Sequence, residues 1–512
     1  MDLNFERLNQ INNIVDWKKA YTTEIEKLDK LYQEEEKLYY LMYAQGKQNK
    51  RLEEILNTKH KLMTNEQLEA TLISWKKKFN DDPVWHRRLK VFLSKMKQEA
   101  IDSQIELVEI QQQLQGNLLA SIINVNGKEY NLGTVHSNIM ENPDRELRKQ
   151  LFKESKIIGE KNEDLFRSLI QKRNKLAREL GYINYYYFRC SLKEINIDTY
   201  LNEMNTLLEK IADSSSYWNN RIKEKFGLQT IDYYDQYFST FNFHQMDSNI
   251  FKSSRMKEVL GDVVNNLGID MSQLPIEVEN LEIPYGGFCI NINPNDIKLV
   301  VNKRNSFSAF LSGIHELGHA IDGHYSSYKY PELYRFHSSI AAEGVAELFQ
   351  TTITNEEFLT KHFDYQGDNY SKIEELNHLM NVNMVKINYY YSLVEYELYS
   401  KPEQSFQKVA NECYKHVFGE SGETFHPASE MFYVENPAFF QDYNFALAIR
   451  DMIRNKFMIG SLYGNTEVFH EILEKYIEPN QRYSWQERVE RLCDEPHTFE
   501  YLANTLAEKP QG

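Results

Sequence analysis

The sequence predicts a mainly helical chain folded as one large body in two lobes. Three observations carry this reading. Long charged stretches repeat apolar residues at helical spacing, as at Leu28, Leu31, Leu38 and Leu41. Glycine and proline are sparse, 21 and 12 in 512 residues, and no Pro/Gly/Ser-rich linker divides the chain. Strand-like patterning is confined to two short regions. A chain of this length can bury an ample core, so the pattern favours one fold over domains strung in series. In chain order it divides into an N-terminal helical, lid-like part (1–110), a helical lobe (111–275) and a third part (276–512) with short strands followed by helices.

The elements follow in order. Residues 15–60 are charged and helical, with heptad-like leucines that suit a bundle inside the fold or a coiled coil with a partner. Helices continue through 65–115. Ile122–Val125 and Glu129–Leu132 flank Asn126-Gly127, a strong two-residue hairpin signal. Helical patterns resume over 143–180 and 196–225. Residues 276–283, 287–292 and 297–301 read as short strands. An apolar helix is expected at about 306–323, and 340–512 is helical, broken at Pro402, Pro427, Pro437 and Pro479.

Composition narrows the function classes. The formal charge is −16, which argues against a nucleic-acid backbone as partner. No apolar run approaches 18 residues, so no membrane span is expected. The first residues lack a basic and then apolar leader pattern, and the four cysteines (Cys190, Cys289, Cys413, Cys493) form no C-x-x-C pair and suit reduced core thiols. The expected compartment is the cytoplasm. Monomer and homodimer both stay open.

The chemistry is concentrated in His315-Glu316-Leu317-Gly318-His319, an H-E-x-x-H pattern among apolar and small neighbours. On a helix, residues four apart share a face, so both imidazoles can reach one ion. Zinc takes imidazole nitrogens at about 2.0–2.1 Å, and a catalytic site uses three protein ligands and a water. Glu316 stands where a general base for that water belongs. A metzincin would place its third histidine six residues after the second; Tyr325 occupies that position, so the third ligand comes from elsewhere. Ile340–Phe349 is a second apolar run with two acids four apart. An acid in an apolar helix is costly unless paired or metal-bound. Glu343 is therefore the expected third ligand of one Zn2+ per chain, with Glu347 accepting a ligand imidazole N–H behind it.

His315-Glu316-x-x-His319 followed by a glutamate 24 residues on resembles the gluzincin zinc peptidases of the thimet oligopeptidase, oligopeptidase F and angiotensin-converting enzyme clan. Arg173–Tyr185 is similar to their RN-x-x-A-x-x-LGY-x-NY segment. Tyr285–Cys289 with Asn293–Ile297 resembles the strand before their zinc helix, and Glu343–Glu347 resembles the E-A-x-G-[DE] segment of the converting enzymes. The likeness runs from about 110 to near 490. It implies a deep central channel between the lobes, a small sheet beside the zinc helix, and hydrolysis of short peptides. It also implies that Gly286, Gly287 and Phe288 align substrate, since a glycine-containing strand edge can pair with an extended peptide.

A late tyrosine stabilises the oxyanion in these peptidases, and the resemblance gives that place to Tyr443, with Tyr433 or His426 as its candidate assistant. The chain departs from the pattern at Phe440, at Tyr433 and at Asp442, where the relatives carry a tyrosine, a histidine and a chloride-linked arginine. Strict dipeptidyl-carboxypeptidase action is therefore not implied. Two other readings stay open: a zinc hydrolase for one dedicated small amide or peptide precursor, and a non-catalytic binding protein.

Overall fold

A computed structural model describes residues 3–510 apart from 284 and 421. The chain is mainly α-helical, with five short strands among the described residues. The helices that matter below are α1 (Ile14–Gln45), α2 (Arg145–Glu179), α3 (Phe307–Tyr325), α4 (Ser339–Gln350), α5 (Asp368–Ser400) and α6 (Phe440–Phe457). The strands are β1 (Ile122–Val125), β2 (Lys128–Asn131), β3 (Ile276–Leu281), β4 (Gly287–Asn293) and β5 (Asp296–Asn302). None of the described helices is long and apolar enough to cross a membrane.

The chain forms two compact units, each assembled from three separated segments. The first is Met1–Ala100, Met246–Tyr365 and Ile449–Thr498; the second is Ile101–Gln245, Gln366–Ala448 and Phe499–Gly512. The sequence pattern groups residues in chain order, whereas long-range pairing joins segments far apart in the chain.

The first unit is built around a three-stranded sheet in the order β3-β5-β4, with β3 parallel and β4 antiparallel to the central β5. The expected strands thus form to within two residues. β5 is apolar and buried along most of its length because both faces of the sheet are covered. One face carries α1, whose Tyr40 packs with Ile283, Ile290, Ile292 and Val300. The other carries α3, where Asn291 fits against Gly323; a Cβ on that glycine would lie 2.3 Å from the Asn291 side chain. The heptad-like leucines of α1 pack inside this unit: Leu28 joins the cluster around Trp17, Trp75 and Phe92, and Leu31 and Leu38 join Ile55.

The second unit holds the expected hairpin, β1 paired antiparallel with β2. Asn126 and Gly127 both have positive φ, 53° and 78°, the geometry that makes Asn-Gly the favoured pair for such a turn. The Arg173–Tyr185 segment acts as a latch. Arg173 donates to the Tyr399 hydroxyl (2.9 Å) and to the Val434 carbonyl (2.9 Å), and Asn174 donates to the Tyr399 carbonyl (2.7 Å) while accepting from the Tyr185 N–H (2.9 Å). These bonds satisfy buried polar groups where α2, α5 and Met431–Glu435 meet.

Candidate metal centre

Two helices build the centre, and one glycine sets their distance. α3 starts at Ser306, whose side chain accepts from the Ala309 N–H; α4 starts at Ser338, which caps through Ala341. Where they cross, a Cβ on Gly318 would stand 2.6 Å from Ala346 Cα. Backbone meets backbone there, so side chains one turn away converge. His315 and His319 lie on one face of α3 with ring centroids 4.9 Å apart, and Glu343 meets them from α4. Glu343 Oε2 lies 3.3 Å from His315 Nε2 and 3.7 Å from His319 Nε2. Ligand atoms of the three residues all fall within 4.8 Å of one another, the sole such cluster among the described residues.

This set fits a metal. Glu343 Oε2 is buried without a hydrogen-bond partner, a costly condition for a carboxylate that an ion between it and the two nitrogens would relieve. Two imidazoles and one carboxylate suit zinc. The electrostatics agree. Burial lowers the His315 pKa, but Glu343 and the neighbouring acids outweigh it and bring it up to about 9. Burial and the His315 charge push His319 down to about 4, with Glu343 acting against them. Glu343 is buried, yet the two histidines hold it below its ordinary value. The cluster therefore attracts one positive charge, which a metal ion supplies while displacing the proton.

The partner of the His315 Nδ1–H differs from the sequence expectation. It is Gln350 Oε1, at 3.1 Å. Glu347 instead faces Arg450, whose Nη1 lies 3.4 Å away and which also binds Asp451. The cause is distance along α4: Gln350 lies seven residues beyond Glu343, on the same face and one turn past Glu347. Helical spacing alone leaves both residues eligible, and the crossing of α3 and α4 decides between them.

Glu316 points at the sheet. A Cβ on Gly287 would be 3.1 Å from Glu316 Cγ and 2.9 Å from the Val300 carbonyl, and one on Gly286 would be 2.7 Å from Ser312 Oγ. Both glycines thus bring the start of β4 against α3 beside Glu316. Burial raises the Glu316 pKa to about 7, and Glu343 adds to the rise, while His315 and the Cys289 N–H partly offset it. A carboxyl near 7 is matched to taking and returning a proton. Phe288, one residue on, lies on the α1 side.

The sequence matches no protein family and no curated protein. Its fold is similar to that of PZ peptidase A. That structure, PZ peptidase A with inhibitor 2, superposes with a TM-score of 0.72 over 98% of this chain and 93% of the other, at 13% identity. At this identity the likeness to PZ peptidase A concerns the fold, and the chemistry of this chain rests on its own residues.

The remaining candidates belong to the second unit. Tyr443 lies in α6 with its ring 5.3 Å from Phe439. Tyr433 is 2% exposed and its hydroxyl donates to the Tyr391 carbonyl at 2.8 Å. His426 is 1% exposed; Nε2 meets Glu163 at 2.8 Å, and Nδ1 accepts from the Ala428 N–H at 3.2 Å. Gly159 leaves room for that ring, since a Cβ there would stand 2.3 Å from His426 Cβ. The polar atoms of Tyr433 and His426 are thus engaged in holding the unit together. Phe440 stacks on Tyr391, ring centroids 4.6 Å apart.

Proposed function

We propose that this chain is a zinc-dependent metallopeptidase that hydrolyses short peptides, with Glu316 as general base. The observation that carries the reading is the convergence of His315, His319 and an otherwise unpartnered Glu343 oxygen, with the Glu316 carboxylate beside them and next to a strand edge. The fold likeness to PZ peptidase A is consistent with it.

Bound by His315, His319 and Glu343, zinc supplies Lewis acidity, polarising a carbonyl and acidifying a water. Glu316 removes a proton from the attacking water and returns it to the leaving amine. Gly286, Gly287 and Phe288 offer backbone groups to an extended peptide, holding it without reading every side chain. Tyr443 is proposed to donate a hydrogen bond from its hydroxyl to the oxyanion, the role that the sequence resemblance gives it. Tyr433 and His426 carry no part of that role, because their polar atoms are already committed.

The test is zinc content of the purified protein together with cleavage of a mixed peptide library, with and without chelator. The expected result is about one zinc per chain and chelator-sensitive cleavage. Glu316→Gln should keep the zinc and slow hydrolysis by roughly 100- to 10,000-fold. Retained zinc with undiminished hydrolysis would remove Glu316 from the mechanism.

A further inference from the structure

The N-terminal helix has a feature that the proposed reaction leaves unused. Tyr39 and Tyr43 on α1 stack with ring centroids 5.8 Å apart and planes 8° apart. Tyr43 continues onto Phe288 of β4 at 6.0 Å, and Phe288 onto Tyr285 at 5.8 Å. The inner end of this run belongs to the apolar cluster between α1 and the sheet. The outer end faces solvent: Tyr43 is 46% and Tyr285 40% exposed. Exposed rings in contact with one another offer a surface on which a large apolar side chain can pack.

Its position is fixed by bonds along α1. Asn293 donates to Gln33 Oε1 at 3.2 Å, the Tyr40 hydroxyl donates to Glu279 at 2.8 Å, and the Tyr285 hydroxyl donates to the Tyr43 carbonyl at 3.3 Å. The rings are therefore held in place before any ligand arrives, which lowers the ordering cost of binding.

The sheet supplies the occupant. β4 is the last strand of its sheet, so among the described residues one of its edges has no strand partner. The Cβ direction of Gly287 leads to Glu316, and the pleat turns Phe288 to the opposite face, towards α1. An extended chain laid on that edge continues the pleat, with its side chains alternating between the Glu316 side and the Tyr43 side.

We propose that Tyr43, Tyr285 and Phe288 form a subsite for a large apolar, preferably aromatic, side chain of a peptide paired with β4. This rests on the peptidase reading above and adds a side-chain preference to it. The preferred residue lies at an alternating position, one whose neighbours face Glu316.

Binding separates the two claims. Zinc-loaded Glu316→Gln protein is titrated calorimetrically with octapeptides carrying phenylalanine or alanine at each position in turn. One position, or two positions two apart, should bind phenylalanine about tenfold more tightly than alanine. In the double variant with Tyr43→Ala the ratio should fall towards one, whereas Tyr43→Phe, which keeps the ring, should restore it. Zinc content and melting temperature are checked in each variant, and Tyr285→Ala repeats the test if Tyr43→Ala fails to fold. A preference that survives both alanine variants, no preference at any position, or no peptide binding would overturn the subsite. Ring-dependent binding together with an unmodified protein that cleaves nothing would overturn the peptidase reading and leave the subsite standing.

Discussion

Gln350 shows how much a single side chain can govern. By accepting the Nδ1–H of His315 it orients the ring so that Nε2, which faces Glu343, would be the nitrogen offered to a metal. Gln350→Ala should weaken zinc affinity by about 10–100-fold, measured by competition with a chromogenic chelator, with the melting temperature of the metal-free protein little changed. An unaltered affinity would mean that packing alone orients the ring. The cluster of His315, His319 and Glu343 was legible in the sequence because helical spacing is local: two residues four apart share a face wherever the helix lies. Gln350 was not, since its partner is chosen by how α3 crosses α4. The partners that occupy Tyr433 and His426 were hidden for a related reason. Nothing near them in sequence reveals Tyr391 and Glu163, which lie on α5 and α2 and occupy their polar atoms.

Among the elements, the α3–α4 crossing is the most sensitive to volume. Gly318→Ala drives a methyl group into the Ala346 backbone. It should cost about 1–3 kcal/mol and lower zinc occupancy, read by calorimetry and metal analysis. The start of α6 depends on another contact. Ala438 has φ +55° and its N–H donates to both Glu395 oxygens, at 2.9 and 3.0 Å. Burial raises the Glu395 pKa to about 8, against the pull of that N–H and of Arg173 and Lys193. The folded state thus favours the protonated acid, and its contribution is lost as pH rises from about 4.5 to 8. Glu395→Gln has no proton to lose, so its melting temperature should gain on the natural protein's across that range; a constant difference would show that Glu395 is ionised. Strand and hairpin positions were legible to within two residues, because alternation and Asn-Gly are local signals. The latch at Arg173–Tyr185 was visible only as a pattern, since its meaning lies in partners more than two hundred residues away.

For the whole molecule, the mainly helical character was legible from sparse glycine and proline, but the discontinuous make-up of each unit was not. Asp262 shows what joins the segments of the first unit. Lys361 Nζ lies 2.5 Å from it, the Tyr463 hydroxyl 2.6 Å and His362 Nε2 2.8 Å, and Tyr463 comes from the unit's last segment. Partial burial works to raise the Asp262 pKa, but these three donors prevail and lower it to about 2. Its stabilising effect is therefore complete above about 4 and lost as pH falls through 2. Asp262→Asn should lower the melting temperature at neutral pH, and the deficit should shrink as acid protonates the natural residue. The three-segment plan also has a consequence for synthesis. On the ribosome, His315, His319 and Glu343 emerge close together, while Tyr463 and Arg450, which pairs with Glu347, emerge more than a hundred residues later. Domains generally fold as units when their chain is complete, so this one must wait with these three residues made but not yet gathered. Nascent chains stalled before residue 448 should be open to protease around α3, and chains released past 498 should be resistant.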